Sequence, residues 1–385
     1  MDPVSAVRPR VEVVIDLDAI RHNVGILARG AAASGAVTMA VVKADGYGHG
    51  AVDVAEAALQ AGAGVLGVCS VDEALALRHG GIDAPVLAWL HAPGEDLVAG
   101  VAADIDLGVY STDQLDTVAC AAAAVGRTAR VHLKVDTGLT RGGVYRSEWP
   151  SLVRAAAATP GVEVVGVWSH LAHADDPGHP VIERQVRYFE EAYQMACAAG
   201  LRPLRHLANS AVTLTRPDLH YDMVRPGIAV YGLSPVPGEG YDLVPAMTLR
   251  SQVALLKRVP AGEGVSYGHV WRTERETTLA LVPAGYADGV PRVLTGQLDV
   301  WLAGHRRPVV GRVCMDQVMV DCGDDPVAVG AEVVFFGTGD SGAPTAAEWA
   351  GKLGTIHYEV VAGMVRPRLT RTVHGRRPTS AQAVR

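Results

Sequence analysis

Short apolar runs alternate with longer segments rich in Ala and Leu over residues 39–232. Short runs of β-branched and other apolar residues are typical of buried strands, and the longer segments have the length of crossover helices. The predicted strands are 39–42, 65–69, 85–90, 105–110, 131–135, 162–168, 204–207 and 222–224. The predicted helices include 51–61, 71–79, 112–125 and 181–199. Eight strand-helix units at this spacing predict a parallel (β/α)₈ barrel.

The pattern changes after Pro237, where short strands separated by Gly, Pro and Asp replace the long helices. The predicted strands of this part are 248–258, 278–282, 298–302, 309–313, 318–321 and 331–336. We therefore predict an α/β protein with a TIM-type barrel at residues 12–238 and a smaller, mostly β C-terminal domain at residues 239–373. The segment 11–15 is a candidate to pair with the second domain, and residues 374–385 are predicted to form a disordered tail.

Composition limits the classes of function. The length of 385 residues exceeds one ordinary hydrophobic core, which agrees with two domains. The net charge of -7 argues against a nucleic-acid surface, because binding phosphates needs a basic patch. The five cysteines are scattered without a C-x-x-C pair, so neither a disulfide framework nor a metal site is predicted. Since no secretory segment or uncharged apolar run of about 18 residues is found, we expect a cytoplasmic protein with no membrane partner.

The first strand leads into an unusual stretch, M-A-V-V-K-A-D-G-Y-G-H-G at residues 39–50. A strand that ends in Lys43 and continues into three closely spaced glycines predicts a turn where backbone approaches a ligand closely. An ammonium group at the end of an apolar strand is costly unless it is paired, exposed or converted to a Schiff base with an aldehyde cofactor. The alternative is a rim lysine paired with Asp45.

Polar and ionisable side chains follow five of the predicted barrel strands. They are Lys43, then Lys134, Asp136, Thr137 and Arg141, then His170, then Asn209 and Ser210, and then Arg225. Barrel active sites lie at the carboxyl ends of the strands, so these side chains are expected to meet at one mouth. Their number favours a functional site over a packed rim, although a Lys134–Asp136 surface pair and a buried structural His170 remain the alternatives at those positions.

A phosphate site is also expected at this mouth. Ser210 is predicted to be the N-cap of a helix, and a helix N-terminus attracts phosphate. Together with Gly227 and Ile228, it would lie after the last two strands, where barrels frequently bind phosphate.

The run V-V-K-A-D-G-Y-G-H-G resembles the cofactor-lysine motif of the alanine racemases, enzymes that depend on pyridoxal 5'-phosphate (PLP) and have a barrel and a β domain. Further resemblances follow in chain order, in V-H-L-K-V-D-T-G-L-T-R, G-V-W-S-H-L, H-L-A-N-S, M-V-R-P-G-I-A-V-Y-G, G-E-G-V-S-Y-G-H, P-A-G-Y-A-D-G-V-P-R and G-R-V-C-M-D-Q. The resemblance covers nearly the whole chain and agrees with the fold predicted from periodicity.

This resemblance implies roles for the barrel residues. The residues that it implies for cofactor binding are Lys43, Tyr47, His170, Asn209, Ser210, Arg225, Gly227 and Ile228. Lys43 would carry the cofactor, Tyr47 would bind its phosphate, and His170 would lie against its ring. Arg225 would face the pyridine nitrogen and, because a guanidinium does not give up its proton, would keep that nitrogen unprotonated.

Substrate binding is implied for Arg141, which would contact the substrate carboxylate and the phenolic oxygen of PLP. Lys134 matches a lysine that is carbamylated in many members and then offers an oxygen to that arginine.

The resemblance also assigns residues of the second domain. Tyr267 would reach the barrel of the partner subunit in a homodimer and act as the second catalytic base opposite Lys43. Because a tyrosine has an ordinary pKa of about 10, it needs a nearby cation such as Arg225. Met315 would offer its backbone amide to the substrate carboxylate. Tyr286 and Arg292 would line the entrance, and Asp316 would support the site or form a turn.

The implied function is the interconversion of L- and D-alanine, which supplies D-alanine for cell-wall peptidoglycan. The alternatives are a broader amino-acid racemase or PLP decarboxylase, a PLP carrier without turnover, and a cofactor-free Schiff-base aldolase. The sequence departs from the family pattern at Gly46 and Thr140. It also lacks, near Pro367, a tyrosine that contacts the phosphate in some members.

Overall fold

The structure, a computed structural model, describes residues 8–376. These residues form two compact units, one made of Ala19–Val244 and the other combining residues 8–18 with residues 245–376. In the described part of the chain, no helix is long and apolar enough to cross a membrane.

The strands of the two units are numbered together along the chain. They are β1 (Val11–Asp16), β2 (Val37–Val41), β3 (Val65–Val68), β4 (Val86–Ala88), β5 (Ile105–Val109), β6 (Ala129–Lys134), β7 (Val162–Trp168), β8 (Leu204–His206), β9 (Met223–Val224), β10 (Met247–Gln252), β11 (Leu255–Val259), β12 (Gly264–Val265), β13 (Trp271–Arg272), β14 (Thr277–Val282), β15 (Asp299–Leu302), β16 (His305–Val310), β17 (Val318–Gly323), β18 (Glu332–Phe336) and β19 (Thr370–His374).

The helices are numbered in the same way. They are α1 (Leu17–Ala33), α2 (Lys43–Tyr47, a single turn), α3 (Ala51–Gln60), α4 (Val71–His79), α5 (Leu97–Ala102), α6 (Thr112–Val125), α7 (Trp149–Ala158), α8 (Val181–Ala198), α9 (Ser210–Thr215), α10 (Ala346–Leu353) and α11 (His357–Ala362). Short 3₁₀ turns lie at Pro217–Leu219, Ile228–Tyr231, Tyr267–His269, Tyr286–Asp288 and Arg292–Leu294.

The first unit is a parallel barrel. Its eight strands lie in the spatial order β8-β7-β6-β5-β4-β3-β2-β9. The outer two of these strands approach each other, because the Asp222 amide donates to the Arg205 carbonyl over 3.1 Å and the Arg225 amide donates to the Ala208 carbonyl over 2.8 Å. The sheet is thus nearly closed, and the predicted (β/α)₈ barrel is confirmed.

Glycines on alternate strands make room for bulky rings inside the barrel. A Cβ added at Gly67 on β3 would lie 2.5 Å from a ring carbon of Trp89, and one at Gly108 on β5 would lie 2.8 Å from the Trp89 Cα. A Cβ added at Gly166 on β7 would lie 2.1 Å from Nδ1 of His132. The barrel interior therefore holds a histidine ring as well as apolar side chains, and it has no space for larger residues at these strand positions.

The second unit is mostly β, which confirms the predicted character of this part. Nine strands form one sheet in the order β11-β14-β17-β16-β15-β18-β10-β1-β19, and β12 pairs with β13. The N-terminal strand β1 lies antiparallel to β10 and parallel to β19. The last strand ends at His374, the first residue of the predicted tail, whereas residues 377–385 lie outside the described part.

The prediction of one strand at 248–258 was wrong. Two strands occupy this stretch, Met247–Gln252 beside β18 and Leu255–Val259 beside β14. The change of partner occurs between Val253, whose amide donates to the Ala331 carbonyl, and Ala254, whose amide donates to the Leu281 carbonyl. An unbroken apolar pattern cannot reveal this switch, because it depends on which distant carbonyls are within reach.

Gly166→Ala should destabilise the barrel by about 1–3 kcal/mol, because the added methyl overlaps a buried, closely packed imidazole. The free energy of unfolding from urea titrations measures the effect. Gly30→Ala is the matched control, since nothing lies within 4 Å of a Cβ at this α1 position. The control should leave stability unchanged or raise it by up to about 1 kcal/mol. Equal stabilities of Gly166→Ala and the natural chain would contradict the described packing.

Candidate active site

Lys43 follows β2 and opens a left-handed turn. Ala44, Asp45 and Gly46 have φ values of 53°, 51° and 61°, all in the left-handed region. This conformation costs roughly 1–2 kcal/mol for each residue that has a Cβ. Strain of this kind persists only where surrounding contacts hold it, and it is concentrated at functional sites.

Two carboxylates hold this turn. The Ala44 amide donates to Glu73 Oε1 over 2.7 Å, and the Ala51 amide donates to Asp45 Oδ1 over 2.9 Å. Asp45 thus binds the first residue of α3, which disfavours the alternative of a simple rim pair with Lys43. The half-buried Lys43 is left with its Nζ 5.7 Å from the centroid of the Trp89 ring.

Arg141 projects from a compact loop after β6. The Asp136 amide donates to the Val144 carbonyl and the Val144 amide to the Lys134 carbonyl, each over 2.9 Å, so the loop is closed at its base. Asp136 Oδ1 accepts from the backbone amides of Gly138 and Thr140 inside this loop. The carboxylate therefore shapes the loop, and the Arg141 side chain is exposed.

The cationic side chains predicted for the mouth lie close enough to perturb one another. Burial first, and then repulsion from Arg225 and Arg141, lowers the pKa of Lys134 to about 8. The ammonium of Lys134 lies 4.3 Å from the centroid of the Trp168 ring, where a cation–π contact partly offsets its loss of water.

His170 is neutral in this surrounding. Burial lowers its pKa to about 3, with further lowering from Arg225, Arg141 and the two lysines. A neutral imidazole can lie against an aromatic ring without adding another positive charge to the mouth, which fits the role that the sequence predicts for it.

Arg225 follows β9 and is buried, with 5% of its surface exposed. Its Nη2 donates to the Ser169 carbonyl over 2.8 Å and to the Leu207 carbonyl over 3.4 Å. Nη1 lies 3.3 Å from Nδ1 of His206. Burial lowers the pKa of the guanidinium to about 9, so Arg225 remains protonated at neutral pH.

The predicted phosphate residues lie together. The hydroxyl of Ser210 accepts from the amides of Gly227 over 2.8 Å and Ala229 over 3.3 Å. No residue with a side chain fits at Gly227, because a Cβ there would lie 2.5 Å from the hydroxyl oxygen of Tyr47. The Tyr47 ring is held against Tyr231, with centroids 4.8 Å apart. Hydroxyls and backbone amides therefore converge at one point, beside the buried Ile228.

The prediction that Ser210 is the N-cap was wrong. The N-cap of α9 is Asn209, whose side chain accepts from the Val212 amide over 3.2 Å, and Ser210 is the first residue of the helix. Either residue type suits an N-cap, and the extended backbone of Asn209 decides between them. The shift leaves the Ser210 hydroxyl to bind the Gly227 loop.

Tyr267 lies on a strained loop of the second unit and is 71% exposed. The preceding residue, Ser266, has φ 60° and ψ -171°, a conformation that is otherwise almost restricted to glycine. Its hydroxyl donates to the Arg312 carbonyl over 2.8 Å and lies 3.2 Å from Sγ of Cys314. The strained backbone and these contacts fix where the Tyr267 side chain leaves the surface.

Met315 and Tyr286 lie on two loops that are joined through their backbones. The Tyr286 amide donates to the Cys314 carbonyl and the Ala287 amide to the Met315 carbonyl, each over 3.0 Å. Gly285 permits this approach, since a Cβ there would lie 2.3 Å from the Cys314 carbonyl oxygen.

The remaining predicted residues of the second unit lie at its surface. The exposed Asp316 forms an ion pair with Arg368 over 2.6 Å. Arg292 is exposed and begins a 3₁₀ turn.

Sequence reasoning missed a set of polar residues inside the barrel. They are Asp106, His132, His206 and the aromatic Trp168 that stacks on His206 with 5.7 Å between ring centroids. A signal was present, because His132 precedes Lys134 by two residues and two residues is the repeat of one strand face. A polar residue on the inner face of a predicted barrel strand therefore indicates a buried polar cluster.

Comparisons with known proteins match both units. Residues 15–235 match the family model described as the N-terminal domain of alanine racemase, and residues 246–373 match its C-terminal domain. The alanine racemase of Salinispora arenicola is 59% identical over 373 residues, which cover 96% of this chain and all of that protein. The alanine racemase of Mycobacterium avium is 54% identical, with 94% of each chain covered.

Solved structures agree with these relatives. The crystal structure of alanine racemase from D-cycloserine producing Streptomyces lavendulae superposes with a TM-score of 0.93 at 48% identity, covering 96% of this chain and 98% of that one. The alanine racemase of Streptomyces coelicolor gives a TM-score of 0.92, also at 48% identity, with 95% and 98% covered. Sequence and structure thus agree over nearly the whole chain, which belongs to the alanine racemase family of isomerases.

Proposed function

We propose that this protein interconverts L- and D-alanine with PLP bound at the mouth of its barrel. The observation that carries the proposal is the group of cations at the mouth, namely Lys43, Lys134, Arg141 and Arg225. After burial, their mutual repulsion is what lowers the pKa of Lys134 and His170. The nearby carboxylate of Asp136 is already bound to loop amides. Such a site has an excess of positive charge, which fits a phosphorylated cofactor and an amino-acid carboxylate.

The donors present fit PLP. The hydroxyls of Ser210 and Tyr47, together with the amide of Ile228, would hold the phosphate. Gly227, whose own amide donates to Ser210, would let the backbone approach it closely, and Asn209 would fix the helix that carries Ser210. Lys43 would bind the aldehyde carbon, and the neutral His170 would lie against the ring. When bound, PLP withdraws electrons from the substrate Cα and makes its proton acidic.

Arg225 would bind the ring nitrogen as a donor that keeps its own proton. Its guanidinium stays charged at neutral pH and is held by two backbone carbonyls. An arginine at this position would limit how far PLP draws electrons from Cα, and this would favour return of the proton to the carbon that it left. This selectivity is what a racemase needs.

Arg141 would bind the substrate carboxylate, because its guanidinium is exposed on a closed loop. Lys134 would support it. An amine with a pKa of about 8 has an appreciable neutral fraction at neutral pH, and a neutral amine is the form that carbamylation requires. A carbamate at Lys134 would give Arg141 an oxygen acceptor.

Racemisation needs a proton acceptor on each face of Cα. Lys43 would serve one face, and Tyr267 of the partner subunit would serve the other. The 71% exposure of Tyr267 supports a role outside its own chain, since a base must be enclosed with its substrate to act. Met315, 52% exposed, and Tyr286, 38% exposed, would accompany it at the shared site with Arg292 and Asp316.

This arrangement requires a homodimer with two shared active sites. The reaction would supply D-alanine for cell-wall peptidoglycan. A protein of this kind takes a small amino acid as substrate and needs no nucleic acid or membrane partner.

The first test is incubation of the purified protein with L-alanine in deuterated water, with and without added PLP. Deuterium at Cα together with D-alanine is expected only with PLP. Deuterium without D-alanine would remove the second base from the mechanism. If carbon dioxide were released, the protein would be a decarboxylase, and a lack of both deuterium and products would contradict the proposed substrate.

Tyr267→Phe should reduce exchange of the Cα proton by about a hundredfold or more for one enantiomer and far less for the other, because it removes the base on one face only. Exchange of each enantiomer is followed separately by proton NMR in deuterated water. Tyr241→Phe, outside the proposed site, is the matched control and should leave both rates unchanged. Equal, mild losses of the exchange rate for both enantiomers would contradict the assignment of Tyr267 as the base on one face.

The pH dependence of stability should report the buried ammonium of Lys134. Its folded pKa of about 8 lies below its ordinary value of 10.5, so the unfolded chain binds more protons between these values. The free energy of unfolding of the chain without cofactor should therefore gain a contribution that rises from about pH 8 to about pH 10.5 and is constant beyond these limits. Urea titrations across this range measure it.

Lys134→Met should be more stable than the natural chain at pH 7.5 and should lose the contribution of Lys134. Its free energy of unfolding should therefore rise less between about pH 8 and about pH 10.5, where the lowered pKa of Arg225 still contributes. Lys257→Met, at an exposed position on β11, is the control and should keep the full rise. A rise that persists unchanged in Lys134→Met would show that another group is responsible.

A further inference from the structure

A line of buried polar side chains crosses the barrel interior and ends at Arg225. Asp106 on β5 lies with Oδ2 3.3 Å from Nε2 of His132 on β6. Nδ1 of His132 lies 2.8 Å from Nε2 of His206 on β8. Nδ1 of His206 then lies 3.3 Å from Nη1 of Arg225. All four side chains belong to buried residues, with 0–6% of their surface exposed.

The chemistry at the two ends gives this line one direction. A guanidinium only donates, so Nδ1 of His206 must accept and the proton of that ring lies on Nε2. That proton is donated to Nδ1 of His132, whose own proton must then lie on Nε2. From there it is donated to Asp106, and a carboxylate only accepts. A single pair of tautomers therefore satisfies every contact.

The other tautomers fail. If His132 carried its proton on Nδ1, either two N–H groups would face each other over 2.8 Å or His206 would also have to change tautomer. In the second case, the N–H at Nδ1 of His206 would face an N–H of Arg225. A protonated His206 fails for the same reason, and burial with the neighbouring His132 and Arg225 lowers its pKa well below 6.5.

Packing prevents the rings from turning away. His206 stacks on Trp168 with an interplanar angle of 7°, and the Arg225 guanidinium lies 5.0 Å from the centroid of the same tryptophan ring. Gly166 leaves only the space that the His132 ring fills. At the far end, Arg130 donates to Asp106 Oδ2 over 2.9 Å and holds that carboxylate in place.

We propose that Asp106 is a positioning residue that, through the tautomers of His132 and His206, holds Arg225 in the orientation in which it meets the ring of the cofactor. The link to the cofactor rests on the proposed function, whereas the order of donors and acceptors does not. Asp106 touches neither substrate nor cofactor in this scheme. Its effect reaches the site only through the two imidazoles.

The tautomers can be read directly. The full-length chain is prepared without cofactor, with ¹⁵N-labelled histidine, and long-range ¹H–¹⁵N spectra assign each ring as an Nε2–H tautomer, an Nδ1–H tautomer or an imidazolium. Substitution of His132 or His206 identifies their signals. Both rings are expected to be neutral Nε2–H tautomers in the natural chain, and any other state of either ring would overturn the proposal without any variant at Asp106.

Asp106→Leu removes the terminal acceptor. His132 should then populate the Nδ1–H tautomer, and the signals of His206 should change with it. Asp106→Asn keeps an oxygen at this place and should preserve both tautomers. Asp104→Asn removes an exposed carboxylate that pairs with Arg127 and is the control for loss of a neighbouring charge. Unchanged tautomers in a folded Asp106→Leu would overturn the proposal.

A second pair of variants covers the case in which Asp106→Leu does not fold. A Gln side chain in His132→Gln keeps one hydrogen-bond donor and one acceptor within the line of buried side chains, whereas the Leu side chain in His132→Leu keeps neither. With PLP and alanine, kcat should fall about tenfold for Asp106→Leu and His132→Leu, which corresponds to loss of one charged hydrogen bond, and KM should change little. The Asn and Gln variants should recover most of this loss, and equal activity of Gln and Leu at residue 132 would count against the proposal.

The two proposals fail in different ways. If the natural chain shows the expected tautomers but does not racemise alanine, the proposed function fails and the order of the hydrogen bonds stands. If it racemises alanine with other tautomers, the function stands and the role of Asp106 fails.

Discussion

Repulsion among the cations at the end of the barrel strands is the constraint on which the site depends. Burial first, and then repulsion from Arg225, Arg141, Lys134 and Lys43, lowers the pKa of the neighbouring His170. Burial amplifies this effect, because charges taken out of water are screened less. The barrel compensates part of the cost with backbone carbonyls around Arg225 and an aromatic ring beneath Lys134. The nearby carboxylate of Asp136 offsets a further part for Lys134. In the proposed function, the anionic cofactor and substrate would neutralise the remaining positive charge.

Backbone strain supports this site in the barrel and, separately, the exposed tyrosine loop of the second unit. Five consecutive residues, Ala44 to Gly48, have positive φ after Lys43, and three of them are not glycine. Ser266, before Tyr267, has a conformation that few residues other than glycine adopt. In each case polar contacts hold the strained segment, through Glu73 and Asp45 at the first and through the Arg312 carbonyl at the second. Side chains on such segments have little freedom to move, which favours catalysis that depends on position.

The barrel interior has two roles in one structure. Glycines on three strands admit the rings of Trp89 and His132, so packing is dense. The same interior carries a series of hydrogen bonds in which each group donates to the next, from Arg225 through His206 and His132 to Asp106. Polar groups in a core are costly unless every donor finds an acceptor. Because this requirement leaves one arrangement of protons, the core can transmit an orientation as well as contribute stability.

The sequence by itself determined the barrel, the mostly β second domain and the strand-end residues such as Lys43, Lys134 and Arg225, because hydrophobic periodicity and residue order are local properties. The tertiary structure alone decided that Asn209 rather than Ser210 caps its helix, and that the strand predicted at 248–258 changes partners after Gln252. It also decided that His132 and His206 are joined. Those features depend on atoms brought together from distant strands, and no pattern along the chain records which donors and acceptors the closed barrel places within reach.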